Sequence, residues 1–352
     1  MVKPTFSFVH LFLFLWLSVP LAGFWHRGRH ERAFSTKMSR TELQKRREEE
    51  GLQVPLRIGL DDATSLSAAE KATCDTIRAA VERKDWYAAK RAFDASDKSS
   101  APIYNLLLAA ALKLGNFETG VEIYRDLEAR HLEKTVKSYC CAIRLFSQLE
   151  RKDETMQVWD EARAAQLWNN SESAISLMCA ALNAAAQFGD FALAKDLLDM
   201  MREKGKVLNV VDYNQALDAC KNSLEAEAAV SLYSDMVSAS ITPNVITFAL
   251  LVSAHSGKSL ESISNVTSEM VPYDVEPNVP FLEELVSAMI GARRPGVKII
   301  DVQQAERVAS EASQTHLRAA QRVIAHVESK GMELSDLLRK LKQAILRGLG
   351  SG

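Results

Sequence analysis

The residues able to do chemistry are few and scattered. Five cysteines stand at Cys74, Cys140, Cys141, Cys179 and Cys220. No two of them form a C-x-x-C pair, their number is odd, and each lies in an apolar or alanine-rich stretch. That pattern points to buried free thiols in a reducing compartment, not to a disulfide framework or a zinc site. Gly257-Lys258-Ser259 imitates the end of a phosphate-binding loop, but Val252 stands where its first glycine belongs and no strand precedes it. Neither a G-x-S-x-G elbow nor an H-E-x-x-H helix occurs. Asp61-Asp62 and Glu48-Glu49-Glu50 read as solvated linker charges, and His26 and His30 lie in an N-terminal segment of targeting character. The sequence therefore indicates no enzyme, no metal site and no cofactor. What does recur is an amide, at Asn170, Asn209, Asn244 and Asn278. A carboxamide both donates and accepts, as the Watson–Crick edge of a base requires, and it also caps helices. Recurrence alone suits either role.

Composition narrows the elements that must hold these side chains. The chain has 352 residues, 47% hydrophobic and 25% charged, which excludes a disordered polymer. With 15 glycines and 9 prolines it is too poor in breakers for a turn-rich all-β protein. The net charge of −2 hides an asymmetry. Lys3, Arg27, Arg29, Arg32, Lys37 and Arg40 face only Glu31 within residues 1–40, which leaves the remainder with 37 basic and 44 acidic residues, a net of −7. A nucleic-acid partner would have to be held by a local basic face and not by bulk charge.

The N-terminus reads as an address. Residues 1–23 contain an uncharged run beginning at Thr5, with Lys3 before it and Pro20-Leu21-Ala22-Gly23 as a cleavage neighbourhood. Residues 24–50 open with Phe24 and a basic, Ser/Thr-bearing stretch of transit-peptide composition, then turn charged and helix-capable. Together they resemble the bipartite presequence of algae with complex plastids. A mitochondrial destination and a simple signal anchor are the alternatives, and any membrane contact would run through this segment. Residues 51–67 read as a linker.

The body is a repeat. Tyr104, Tyr139, Met178, Tyr213 and Phe248 are separated by 35, 39, 35 and 35 positions. In step with them come a small residue at Gly120, Thr155, Ala194 and Ala229, and a bulky one at Tyr124, Trp159, Leu198 and Tyr233. A further apolar column runs Leu127, Ala162, Met201, Met236 and, one residue early, Met270. Each unit divides at a turn such as Gly115-Asn116 into two helical patterns. A single helical hairpin cannot bury its apolar surface, so the units must stack.

These columns resemble the pentatricopeptide repeat family. Residues 210–244 and 245–278 match best, each with a hydrophobic start carrying Tyr or Phe, a late Met and a closing Pro-Asn. Residues 101–135, 136–170 and 175–209 keep the period, with degenerate units at 68–100 and from 279. Tetratricopeptide repeats share the hairpin plan at a period of 34; the 35-residue step and the Pro-Asn ending favour the pentatricopeptide reading. The resemblance implies an all-α fold, a right-handed α-solenoid over residues 68–290 closed by a C-terminal helical cap at 291–352.

The resemblance also implies a function. In that family the fifth and last residues of each repeat read one RNA base from the concave groove. By column these pairs are Asn105 with Thr135, Cys140 with Asn170, Cys179 with Asn209, Asn214 with Asn244, and Ala249 with Asn278. Cys140, Cys179 and Ala249 depart from the usual polar fifth residue. The second residue should be aliphatic to sandwich the base, and Val211 and Ile246 fit, unlike Pro102, Lys137 and Ser176. The expectation is a monomeric, non-catalytic organellar adaptor that binds single-stranded RNA and joins protein partners in transcript processing, stability or translation. The rival is a protein–protein scaffold that keeps the solenoid without RNA readout.

Overall fold

In the computed structural model, residues 66–98, 100–293 and 299–350 are described. The segments read above as targeting sequence and most of the linker lie outside them, as do His26, His30, Asp61 and Asp62. The described residues form sixteen α-helices and no strand. They fall into two compact regions, 66–219 and 220–350.

The first region opens with α1 (Ala68–Glu82) and α2 (Trp86–Asp94), the degenerate unit. Three hairpins follow: α3 (Ala101–Leu114) with α4 (Phe117–Ala129), α5 (Val136–Gln148) with α6 (Lys152–Ala164), and α7 (Ser171–Phe188) with α8 (Phe191–Glu203). Helix α9 (Val210–Ser223) begins the next unit. The first helices α1, α3, α5 and α7 pack in sequence against one another, forming one layer, while α2, α4, α6 and α8 pack beside their partners.

The repeat columns are the core of this packing. Tyr104 and Tyr213 are fully buried and Tyr139 nearly so, and Leu127, Ala162 and Met201 have no exposed surface. Gly120 shows why a small residue recurs. A Cβ there would sit 2.6 Å from a Leu145 methyl and 3.1 Å from the Ala111 Cβ, so α4 approaches its neighbours more closely than a larger side chain permits. Each hairpin turn needs one left-handed residue, supplied by Gly115, Glu150 and Gly189 with φ of 76°, 59° and 65°. Glu150 adopts this conformation at a cost of about 1–2 kcal/mol that a glycine would not incur.

The one 39-residue interval has a structural explanation. Where His131 and Gly205 make left-handed turns between units, the corresponding link is a 3₁₀ turn at Gln166–Asn169. The four additional residues then form an extra turn at the start of α7, which at 18 residues is longer than α3 or α5.

The second region contains α10 (Ala226–Ser238), α11 (Val245–Ala254), α12 (Leu260–Ser268) and α13 (Val279–Met289). Phe248, Met236 and Met270 are buried in it, continuing the columns. The chain then forms α14 (Val302–Glu311), α15 (Gln314–Ser329) and α16 (Asp336–Gly350), with α13 packed on α15 and α16. The sequence from Val302 to Gly331 reads as one long helical pattern, but the structure breaks it at Ala312-Ser313. Ser313 turns out of the helix and its Oγ accepts from the His316 amide at 3.2 Å, starting α15 afresh. Ser335 caps α16 as its sequence context predicts, accepting from the Leu338 amide at 3.2 Å.

Candidate nucleic-acid interface

The closing residue of every unit lies immediately before the next first helix. There it has a definite job. Thr135 Oγ1 accepts from the Ser138 amide at 3.4 Å while Ser138 Oγ accepts from the Thr135 amide at 3.0 Å, a reciprocal capping box. Asn170 Oδ1 accepts from Glu172 and Ser173 at 2.9 and 3.1 Å, and Asn209 Oδ1 from Val211 and Asp212 at 2.8 and 3.3 Å. In the second region Asn244 Oδ1 accepts from Thr247 at 3.0 Å and Asn278 Oδ1 from Phe281 at 3.0 Å. The recurring amide is thus a recurring N-cap. Capping uses only the carbonyl end, which leaves the NH₂ group of each asparagine outside the cap.

The fifth residues are less open than a reading column suggests. Asn105 is 4% exposed. Its Nδ2 donates to Thr135 Oγ1 at 2.8 Å and its Oδ1 accepts from Ser138 Oγ at 2.8 Å. The pair implied by the family resemblance is therefore in direct contact, with one N–H and one lone pair of the amide left over. Asn214 is buried, at 1% exposure, and Ala249, Val211 and Ile246 are half-buried. Cys140 is half-buried; its thiol donates to the Ser176 carbonyl at 3.5 Å, and burial pushes its pKa up to about 12. Cys179 accepts from Lys206 Nζ at 3.5 Å, and burial raises its pKa while that ammonium opposes the rise. Lys206 is also ion-paired with buried Asp212, an arrangement that no repeat column announces.

The extra turn of α7 changes the register. Elsewhere the capping residue precedes the fifth residue of the next unit by five positions, as Asn209 precedes Asn214 and Asn244 precedes Ala249. Asn170 precedes Cys179 by nine, and four helical residues carry it about 6 Å further out along the axis. Buried Ala174 takes the place in register.

Charge is divided between the layers at the three hairpins α3–α8, though not at α1, which carries Glu70, Asp75 and Glu82 against Lys71 and Arg78. Helices α3, α5 and α7 carry Lys113, Lys137 and Arg144 against a single carboxylate, Glu172, on the added turn. Helices α4, α6 and α8 carry eleven carboxylates against five basic side chains. In the second region α11 has no charged residue and α13 carries Glu283 and Glu284. Among the described residues no group of three His, Cys, Asp or Glu could hold a metal, and no helix is long and apolar enough to cross a membrane.

Family models describe the same units. A pentatricopeptide repeat domain matches residues 196–258 and a single PPR repeat matches residues 177–205. Residues 177–258 are pentatricopeptide repeats. The pentatricopeptide repeat-containing protein At4g30700 of Arabidopsis thaliana is 24% identical over 171 residues, 48% of this chain and 21% of its own length. A second Arabidopsis protein, At5g50390, described as chloroplastic, is 24% identical over 199 residues, covering 56% and 26%. The matched part thus spans about a quarter of these relatives. Similar solved structures include PPR10 in complex with an 18-nt psaJ RNA element, at 15% identity and a TM-score of 0.44 over 88% of this chain and 50% of that one. PPR10 from maize gives 13% and 0.35, over 83% and 58%.

Proposed function

We propose that this protein binds single-stranded RNA along its first-helix layer and serves as a non-catalytic adaptor in organellar transcript processing, stability or translation. The observation that carries the reading is the charge division of hairpins α3–α8. A polyanion would find Lys113, Lys137 and Arg144 on one layer and repulsion on the other, although the chain as a whole is acidic. Along that layer the Asn105–Thr135 contact and the capping asparagines offer amide donors of the kind a base edge needs. A scaffold for proteins is the second reading, favoured by Glu283 and Glu284 on the first helix α13.

Titration of the full chain with matched single-stranded oligonucleotides at two salt concentrations tests the reading. Weak binding that falls with salt is expected, with a pyrimidine preference. Asn214→Ala together with Asn244→Ala should cost about tenfold on pyrimidine-rich RNA, less on purine-rich RNA, and leave helical content unchanged. Absence of wild-type binding at low salt would leave only the scaffold. The address is separable: residues 1–40 fused to a fluorescent reporter should deliver it to the plastid, and secretion of the reporter would refute organellar import.

A further inference from the structure

Many cations of the first region are held in ion pairs. Arg125, Arg130, Lys134, Arg151, Lys152 and Lys206 each hold a carboxylate. Arg144 does not. It is half-buried in the middle of α5, its Nε is shielded from solvent without a hydrogen-bond partner, and among the described residues it forms no ion pair. A guanidinium offers five N–H donors in a planar fork, and leaving one of them buried and unmatched is unfavourable unless another group completes it.

Its surroundings favour an outside anion. Arg144 follows Cys140 by one helical turn, so the two side chains share a face of α5. Its charge, like those of Lys206 and buried Asp212, acts on the Cys179 thiol of α7. Helices α3 and α5 carry no carboxylate, and the only one on α7 is Glu172, at its far N-terminal turn. Lys113, in the last turn of α3, and Lys137, in the first turn of α5, are the other cations of these helices.

The same unit is poorly equipped to read a base. Its fifth residue is a protonated thiol already given to the Ser176 carbonyl, and its closing Asn170 is displaced by the added turn of α7. We propose that unit 136–170 is a sequence-independent clamp, in which Arg144 grips an RNA backbone phosphate through a bidentate pair of N–H donors. This rests on the RNA-binding reading above. A nucleotide whose base points toward the capping end of the helices carries its phosphate further along them. A long side chain one turn past Cys140 is placed to meet it.

The experiment uses the full chain and three forms: wild type, Arg144→Gln and Arg144→Lys, with Arg151→Gln as a control for removal of a paired arginine. Affinities for uridine-rich and adenosine-rich single strands are measured from low to moderate salt, with circular dichroism confirming helical content. Arg144→Gln should weaken both RNAs equally, by about tenfold at low salt, and should flatten the salt slope by about 0.7, the share of one phosphate on a single strand. Arg144→Lys should retain the slope and lose part of the affinity, because a charge remains but the fork is gone. Wild-type binding together with an unchanged slope in Arg144→Gln would overturn the clamp while leaving RNA binding intact. A loss confined to one oligonucleotide would also overturn it, by making Arg144 a base reader. If the wild type binds neither RNA, the RNA reading itself fails.

Discussion

The two regions are built from the same unit and present different chemistry. In hairpins α3–α8 the first helices, taken together, are positively charged, while the second helices collect the acids. In residues 220–350, first helix α11 is uncharged and α13 is acidic, and the basic side chains gather later, on α15 and α16. Packing columns are indifferent to this. Leu127 and Met201 in one region and Met236 and Met270 in the other are buried alike. The fold is therefore fixed by positions that face other helices, and partner choice is left to positions that do not. A bulk charge of −7 over the body conceals a surface that could attract RNA in one place and repel it in another.

Charge reversal should give the largest break in this comparison. Lys113→Glu combined with Lys137→Glu places carboxylates on α3 and α5, which now have none. RNA affinity at low salt should fall by a hundredfold or more, on the order of tenfold per reversed cation. Glu283→Gln, in the other region, should change it by less than about twofold. Both are read by the same oligonucleotide titration. Equal effects from the two regions would mean that the charge division has no bearing on binding.

Alkali should separate the regions next. The folded-state pKa values of Cys140 and Cys141 are pushed up to about 12 by burial, and that of Tyr139 likewise. Each group is neutral in the fold and ionises more readily once unfolded. Its contribution is fully present below the unfolded value and is lost as pH rises toward 12. The second region has one such thiol, Cys220, also at about 12. Hydrogen exchange followed from pH 8 to 11 should therefore show α5 losing protection before α11 or α13. Native thiols should resist alkylation at pH 8 and become labelled as α5 opens.

Much of the architecture is legible in the sequence because packing repeats. Tyr104, Tyr139, Tyr213 and Phe248 occupy equivalent buried places, as their spacing requires. The exceptions have physical causes. The 39-residue interval is visible as an irregularity, but only the structure shows that the surplus lengthens α7 and not the linker. The break at Ala312-Ser313 contains neither glycine nor proline, and its only signal is a serine placed to cap. A polar column runs beside the aromatic one. Tyr104 donates to Asp126 and Tyr139 to Glu161 at 3.1 Å, each acid lying 22 residues after its tyrosine, and Asp235 follows Tyr213 at the same interval. Where the tyrosine column holds Met178 or Phe248, the residue 22 later is Met200 or Met270. The candidate site was harder to read, because Asn105, Cys140 and Cys179 are committed to Thr135, Ser176 and Lys206, contacts formed by residues distant in sequence.

The smallest effect is the most discriminating, because capping and reading both predict an asparagine in the same column. They differ in which end of the amide matters. Capping needs the carbonyl oxygen, which in Asn278 accepts from the Phe281 amide at 3.0 Å, and aspartate or serine supplies an equivalent acceptor. Base reading uses the NH₂ group, which neither replacement has. Asn278→Ala should therefore lower stability to urea by about 1 kcal/mol, while Asn278→Ser should lower it by only a few tenths. If the column also reads RNA, both variants should lose about threefold to tenfold in affinity for a preferred oligonucleotide, irrespective of their difference in stability. Asn170 supplies the internal contrast, since the added turn of α7 leaves it a cap but carries it out of register. Asn170→Ser should leave both stability and binding nearly unchanged. If Asn278→Ser binds RNA as tightly as the wild type, the asparagine column is there to start helices, and sequence preference must be sought in other residues of the first-helix layer.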